Sequence, residues 1–227
     1  MSIVQVRNLE RTYKQGSLEV KALRGVDIDI EPGEFTVLMG PSGSGKTTLL
    51  NQIGALDLPD SGSIQVEGRE LAGMSKGDLA KLRLERLGFV FQAYNLVPVL
   101  SAYENAEFVL LLQGVSASER RTRVMDLLEA VGLKGMEDRR PAELSGGQQQ
   151  RVAVARAIAA NPALVLADEP TANLDSTTSE ELLDTMEGLN RDRGITFLFA
   201  THDPRVKDRA RRVVTLVDGK VHSDERR

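Results

Sequence analysis

The sequence contains no cysteine and no tryptophan, only two histidines, and aromatic residues make up 4% of its 227 positions. Without cysteine there is no disulfide, no thiolate nucleophile and no Cys-based zinc centre, and two histidines leave little for a His-rich metal site. Long apolar runs are missing too. The most apolar stretches, 108–112 and 195–200, fall far short of the ~20 residues that span a bilayer. The N-terminus, Met1-Ser-Ile-Val-Gln-Val-Arg7, has no basic region, apolar core and small-residue cleavage site in succession, so a cytoplasmic location is expected. Nor is there an excess of positive charge. Lys and Arg number 29 against 33 Asp and Glu, a net charge of -4, whereas a dedicated nucleic-acid binder is usually basic. DNA and RNA are therefore not expected as main partners. What is present, 41% hydrophobic and 27% charged residues, fits one well-cored soluble domain over 1–227.

The first third alternates apolar and polar residues in short runs from Val4, from Val26 and from Ile64, closed by turn signals such as Glu31-Pro-Gly. Such runs predict half-exposed antiparallel strands. Phe35-Thr-Val-Leu-Met, Leu164-Val-Leu-Ala and Ile195-Thr-Phe-Leu-Phe-Ala are instead almost wholly apolar, as strands of a parallel sheet buried on both faces would be. Helical spacing follows in Val124, Leu127, Leu128 and Val131, with Ser116 or Ser118 as cap and Gly132 beyond the end, and again in Leu182, Leu183, Met186 and Leu189. The expected fold is α/β, with a mainly parallel core sheet flanked by helices, an antiparallel β lobe and an inserted helical lobe at about 93–150. The last residues, 223–227, read as a loose tail, with His222 an ordinary surface histidine.

Gly40-Pro-Ser-Gly-Ser-Gly-Lys-Thr fits the phosphate-loop pattern of a P-loop nucleotide-binding protein, between a buried strand and a helix beginning near Lys46. Gly43 and Gly45 let the backbone curl so that successive N–H groups converge on phosphate oxygens at the positive end of the helix. Lys46 supplies a point charge for the β and γ phosphates of a nucleotide, and Thr47 a hydroxyl for Mg2+. Asp168 and Glu169 stand where a second buried strand emerges, the edge at which open α/β sheets bind ligands. Asp168 suits Mg2+, held directly or through water; Glu169 suits the proton of a water attacking the γ-phosphate.

Leu144-Ser-Gly-Gly-Gln opens an Ala-rich helix, and Ser145 with Gln148 forms a capping-box pattern. Gly146 and Gly147 in that first turn cost about 1 kcal/mol each relative to Ala. Such a pair suggests close approach of something to the backbone, with an anion the natural candidate.

Together the loop Gly40 to Thr47, the Leu144 to Gln148 signature and Asp168-Glu169, in that order, resemble an ABC-type ATPase subunit over essentially the whole chain. The resemblance implies that Tyr13 stacks on adenine, that Gly40, Ser42, Ser44 and Thr48 also belong to the nucleotide site, and that Gln92 is a lever-loop glutamine reaching the metal. It further implies that Ala172-Asn-Leu-Asp175 crosses between subunits and that His202 senses the γ-phosphate. In a homodimer closing on two Mg-ATP, Ser145, Gly147 and Gln148 would meet the nucleotide of the other subunit. The stretches 88–105, 140–157 and 167–175 are similar to the lipoprotein-release (LolD-like) and macrolide-exporter (MacB-like) subgroup. That resemblance implies an integral membrane permease as partner on the cytoplasmic face of the inner membrane. Tyr94, Leu96, Val97, Pro98 and Leu100 then line a groove for the permease, or else pack as a satellite of the core. An FtsE-like regulatory ATPase, signalling across the membrane without transport, is the alternative; a soluble ABC ATPase acting on ribosomes or DNA usually carries tandem domains or a coiled coil, and neither is present.

Overall fold

The computed structural model describes residues 2–16 and 18–227. In chain order the first elements are β1 (Val4–Gln15), β2 (Leu18–Ile30), β3 (Phe35–Met39), α1 (Lys46–Ile53), β4 (Ser61–Val66), β5 (Arg69–Glu70), α2 (Lys76–Arg86) and β6 (Leu87–Phe91). A helical stretch follows: α3 (Ala102–Leu112), α4 (Ala117–Ala130), a 3-10 turn at Pro141–Glu143 and α5 (Gly146–Ile158). The chain then runs through β7 (Leu164–Asp168), α6 (Ser176–Arg193), β8 (Phe197–Ala200), α7 (Pro204–Arg209), β9 (Arg212–Val217) and β10 (Lys220–Arg226).

Two sheets result. The antiparallel one has the order β2-β1-β4-β5; the other, β10-β9-β3-β8-β7-β6, is parallel from β9 to β6 with β10 antiparallel at one edge. Successive side chains of a strand point to opposite faces, so the apolar runs of β3, β7 and β8 feed two cores at once. Phe35, Val37, Val165, Ala167, Phe197 and Phe199 join the side chains of α3 to α6. Leu38, Leu164, Leu166, Leu198 and Ala200 join α1 and the antiparallel sheet. Each fully buried Val, Leu or Phe among them contributes roughly 1.5–3 kcal/mol. The site-bearing strand ends are therefore clamped from both sides.

Ser116, not Ser118, caps α4, its side chain accepting from Glu119 N. The expectation of a loose tail is overturned. Residues up to Arg226 form β10, in register with β9 from Lys220↔Val217 to Arg226↔Arg212. Only Val221 in that strand is apolar, so no hydrophobic pattern announces it. Charge holds it instead: Asp224 takes both Nε and Nη2 of the buried Arg212 at 2.8 and 2.7 Å, and Glu34 takes Nη1 at 2.9 Å. His222 lies in this strand and makes no contact with the site described below.

Candidate nucleotide site

The helix N-termini differ in one respect that bears on anion binding. Ser75, Ser101, Ser116, Ser145, Asp175 and Asp203 cap α2 to α7 with their side chains. Among the described α-helices α1 alone has none: its cap position is Gly45, at φ 103°, and no acidic residue occupies its first turn. Its leading N–H groups have no side-chain acceptor, which is the condition under which a helix start takes a phosphate. Gly45 is required on two grounds, since its φ disfavours other residues and an added Cβ would lie 2.6 Å from Ala22 O. Ser44 Oγ is buried and unpartnered among the described residues. Lys46, 8% exposed, donates from Nζ to the carbonyls of Gly40 (2.8 Å) and Pro41 (3.0 Å), a cation whose partners are neutral.

This loop floors a cleft of about 690 Å³. Tyr13, Ser42, Gly43, Ser44, Gly45, Lys46, Thr47, Thr48, Gln92, Glu169 and His202 all line it. Gly40 starts the loop, and Asp168 reaches the cleft through Thr47, whose Oγ1 donates to Asp168 Oδ1 at 3.0 Å. Burial pushes the Asp168 carboxyl above its usual value, and the Thr47 hydrogen bond opposes that shift. The two hard oxygens lie side by side at the phosphate loop, and among the described residues no group of three or more His, Cys, Asp or Glu is arranged to hold a metal ion. A sparse donor set of this kind suits Mg2+, which keeps waters and substrate phosphates in its shell, better than it suits a dedicated all-protein cage.

Glu169 is placed by sheet register. Asp168 pairs with Ala200 across β7 and β8, so the next residues of both strands emerge together. Thr201 Oγ1 donates to Glu169 Oε2 at 2.7 Å, and His202 Nδ1 lies 2.7 Å from Glu169 Oε1. Glu169 itself has φ 46°, a left-handed conformation that costs about 1–3 kcal/mol outside glycine. Strain of that size, held in place by neighbours, accompanies a carboxylate aimed at a cleft.

Gln92 is exposed at the cleft wall, its Nε2 3.5 Å from Asn173 Oδ1, and Asn173 Nδ2 donates to Gln92 O at 2.9 Å. Two residues on, Tyr94 and Asn95 also adopt positive φ, and Arg156 of α5 donates to their carbonyls at 2.9 and 2.6 Å. Burial, with no carboxylate to offset it, pushes the Arg156 guanidinium down. The loop after Gln92 divides the two readings of its apolar residues. Leu96 packs on the core, whereas Val97 is 38% and Val99 71% exposed.

Ser145, Gly147 and Gln148 do not line this cleft. Their capping box is closed: Ser145 Oγ accepts from Gln148 N, and Gln148 Oε1 accepts from Ser145 N. What approaches the two glycines belongs to the chain itself. A Cβ on Gly146 would stand 2.8 Å from Tyr94 Oη, and one on Gly147 would overlap Thr178 Cγ2. Close packing within the chain therefore calls for small residues here, whether or not an anion also approaches from another copy. Thr201 is a partner of Glu169 that motif reading misses, since a threonine ending an apolar strand carries no signal of its own, whereas Asn173, read as part of the 172–175 crossing loop, is here also the partner of Gln92.

Known proteins supply the remaining comparison. A family model described as ABC transporter matches residues 23–172. The chain is 45% identical to a macrolide export ATP-binding/permease protein MacB of Syntrophobacter fumaroxidans over 99% of its own length and 32% of the relative's, so it spans about a third of that protein. It is 46% identical to the lipoprotein-releasing system ATP-binding protein LolD of Anaeromyxobacter dehalogenans over 97% of its length and 93% of the relative's. Among solved structures, the ATP-binding cassette MJ0796 of Methanocaldococcus jannaschii, a dimer in a post-hydrolysis state bound to ADP and Pi, superposes with a TM-score of 0.90 at 42% identity over 98% of each chain.

Proposed function

The chain belongs to the ABC transporter ATP-binding family, and from that premise we propose that it binds and hydrolyses ATP to drive an export or lipoprotein-release type permease. Residues 1–227 form one ATPase domain in this reading, with its helical lobe at about 93–150. One observation carries it: the uncapped start of α1, Lys46 and the Thr201-held Glu169 converge on a single cleft. Phosphates of ATP would rest on the N–H groups of the 40–47 loop with Lys46 at the β and γ positions. Thr47, Asp168 and Gln92 would hold Mg2+, whose contribution is to neutralise charge developing on the phosphates. Glu169 would accept the proton as a water oxygen bonds to the γ-phosphorus and the bridging oxygen departs with ADP. His202, at hydrogen-bond distance from Glu169, would meet the γ-phosphate, and Tyr13 the base.

A two-fold dimer completes the reading, since Ser145, Gly147 and Gln148 lie outside the cleft of their own chain and would reach that of a second copy. MJ0796, the structural relative, is dimeric. An apolar cleft of about 390 Å³, lined by Leu56, Leu84, Phe89, Phe91, Val109 and Arg156, opens beside the Tyr94–Leu100 loop, and Phe108, Leu111 and Leu112 of α3 are exposed. No described helix is long and apolar enough to cross a membrane. A cytoplasmic helix of the permease would fill this groove, holding the subunit at the inner face of the membrane. The test is ATP turnover together with size-exclusion chromatography of Glu169→Gln. That variant should bind Mg-ATP, cease turnover and run as a dimer. Full turnover would remove Glu169 from the chemistry.

A further inference from the structure

Arg11 and Tyr13 are two residues apart on β1 and so project from the same face of the strand. The Arg11 guanidinium lies over the Tyr13 ring, 4.8 Å from its centroid. The ring's hydroxyl donates to Asp57 Oδ2 at 2.7 Å, and the other oxygen of Asp57 accepts from Arg11 Nη2 at 2.8 Å and from Leu58 N at 2.9 Å. Asp60 extends the frame by accepting from Arg11 Nη1 at 2.7 Å and from Thr12 N at 2.6 Å. The contacts close on themselves, running from the Tyr13 hydroxyl to Asp57, to Arg11 and back onto the ring. Burial and the Asp57 carboxylate both push the Tyr13 phenol up, which keeps it a neutral donor.

This closed frame joins two parts of the cleft that belong to different layers. Asp57 follows α1, whose first residue is Lys46, and its own amide hydrogen-bonds Asn51 O in that helix. Tyr13 belongs to the antiparallel sheet. A ring attached only through its Cβ would sample several χ angles, and ordering it on binding a ligand would cost free energy. Fixed at the hydroxyl and covered on one face, it offers a single flat surface at a set distance from the phosphate loop.

Resting on the reading of the cleft as an ATP site, we infer that Asp57 and Arg11 are positioning residues for the nucleobase, holding the Tyr13 ring so that its uncovered face stacks on the base. Neither touches the ligand. Their effect is confined to the base half of the nucleotide, and this separates them from residues that merely support the fold.

The experiment compares Kd for Mg-ADP and for Mg-pyrophosphate by calorimetry in the intact chain, in Tyr13→Ala, and in Asp57→Ala, Asp57→Asn and Arg11→Ala, with thermal unfolding in parallel. Loss of an oriented aromatic stack should weaken ADP about three- to tenfold. The same loss is expected for Tyr13→Ala and Asp57→Ala, with a smaller one for Asp57→Asn, whose amide oxygen still accepts from the phenol. Pyrophosphate affinity should not change. Equal loss for ADP and pyrophosphate would overturn the inference, because the damage would then lie in the phosphate loop. If Tyr13→Ala weakens ADP and Asp57→Ala does not, positioning by Asp57 is wrong while the base platform stands. If Tyr13→Ala leaves ADP binding unchanged, the platform itself is wrong.

Discussion

Thr201 Oγ1 donates to Glu169 Oε2 at 2.7 Å while accepting from the backbone N of Asp203 at 3.0 Å, so the hydroxyl's one proton is committed to the carboxylate. Thr201 is fully buried, and Glu169 is held in a left-handed conformation beside it. A side chain so placed sets where the carboxylate oxygen stands. Thr201→Val keeps the shape and removes the proton. It should lower kcat about tenfold, with KM for ATP little changed, and Thr201→Ser should restore most of the rate. Steady-state hydrolysis across pH tests this. An unaltered kcat and pH profile in Thr201→Val would show that the strand end positions Glu169 without the hydroxyl.

Gly147 invites a second test because two explanations for it predict opposite signs. In an ordinary helix, Gly→Ala raises stability by about 1 kcal/mol. Here the added Cβ would overlap Thr178 Cγ2, and overpacking of a closed contact costs about 1–3 kcal/mol. Gly147→Ala should therefore lower the unfolding midpoint of the protein without nucleotide. Adding Thr178→Ser, which deletes Cγ2 and keeps the hydroxyl that donates to Asp175, should recover it. A stabilised Gly147→Ala chain would show that packing against Thr178 is not what requires the glycine, and would leave admission of a ligand as its reason.

How much of this could be read from the sequence follows from where each signal resides. β3, β7 and β8 are legible because both their faces are buried, which leaves almost no polar residue in the run. β10 was not, because its pairing comes from Arg212, Asp224 and Glu34, residues far apart in the chain whose charges say nothing locally about each other. The site divides in the same way. The phosphate loop is a contiguous string whose backbone geometry is its function. Tyr13 and Asp57, 44 positions apart, meet only through the fold, as do Glu169 and Thr201. The glycines of the signature were legible as a close approach. The share of that approach made by Tyr94 and Thr178 within the chain was not.

Acid should release the last strand before the rest. The Arg212 guanidinium holds the Asp224 carboxyl below its usual range, and Asp224 in turn keeps β10 on the sheet. A carboxyl with a folded value below its unfolded one contributes stability that is complete above the unfolded value and is lost as pH falls through the folded one. The loss therefore belongs below about pH 4. Hydrogen exchange of the β10 amides should quicken there ahead of those in β3 and β8, and Asp224→Asn should show the same selective exchange at pH 7. If β10 and β3 exchange together under both conditions, the ion pair is not what docks the strand.

The strongest test of the dimer uses the separation of Lys46 from Ser145. Lys46 floors the cleft, while Ser145 caps α5 outside it. In a symmetric two-fold dimer each cleft would combine Lys46 of one copy with Ser145 of the other, so defects on different chains segregate. Homodimers of Lys46→Ala should be inactive because every cleft lacks its cation, and homodimers of Ser145→Arg because every closure is blocked. In the heterodimer of the two, one cleft carries both lesions and the other neither. A differentially tagged, purified heterodimer should then trap nucleotide at one site and regain measurable hydrolysis if the sites fire independently. If a signature served only its own chain, each cleft would still carry one lesion and trapping would be absent. Trapping separates the cases even where both sites must close before either fires, because occupancy of the intact cleft does not require turnover. A folded heterodimer that traps no nucleotide would refute the assignment of Ser145, Gly147 and Gln148 across the interface.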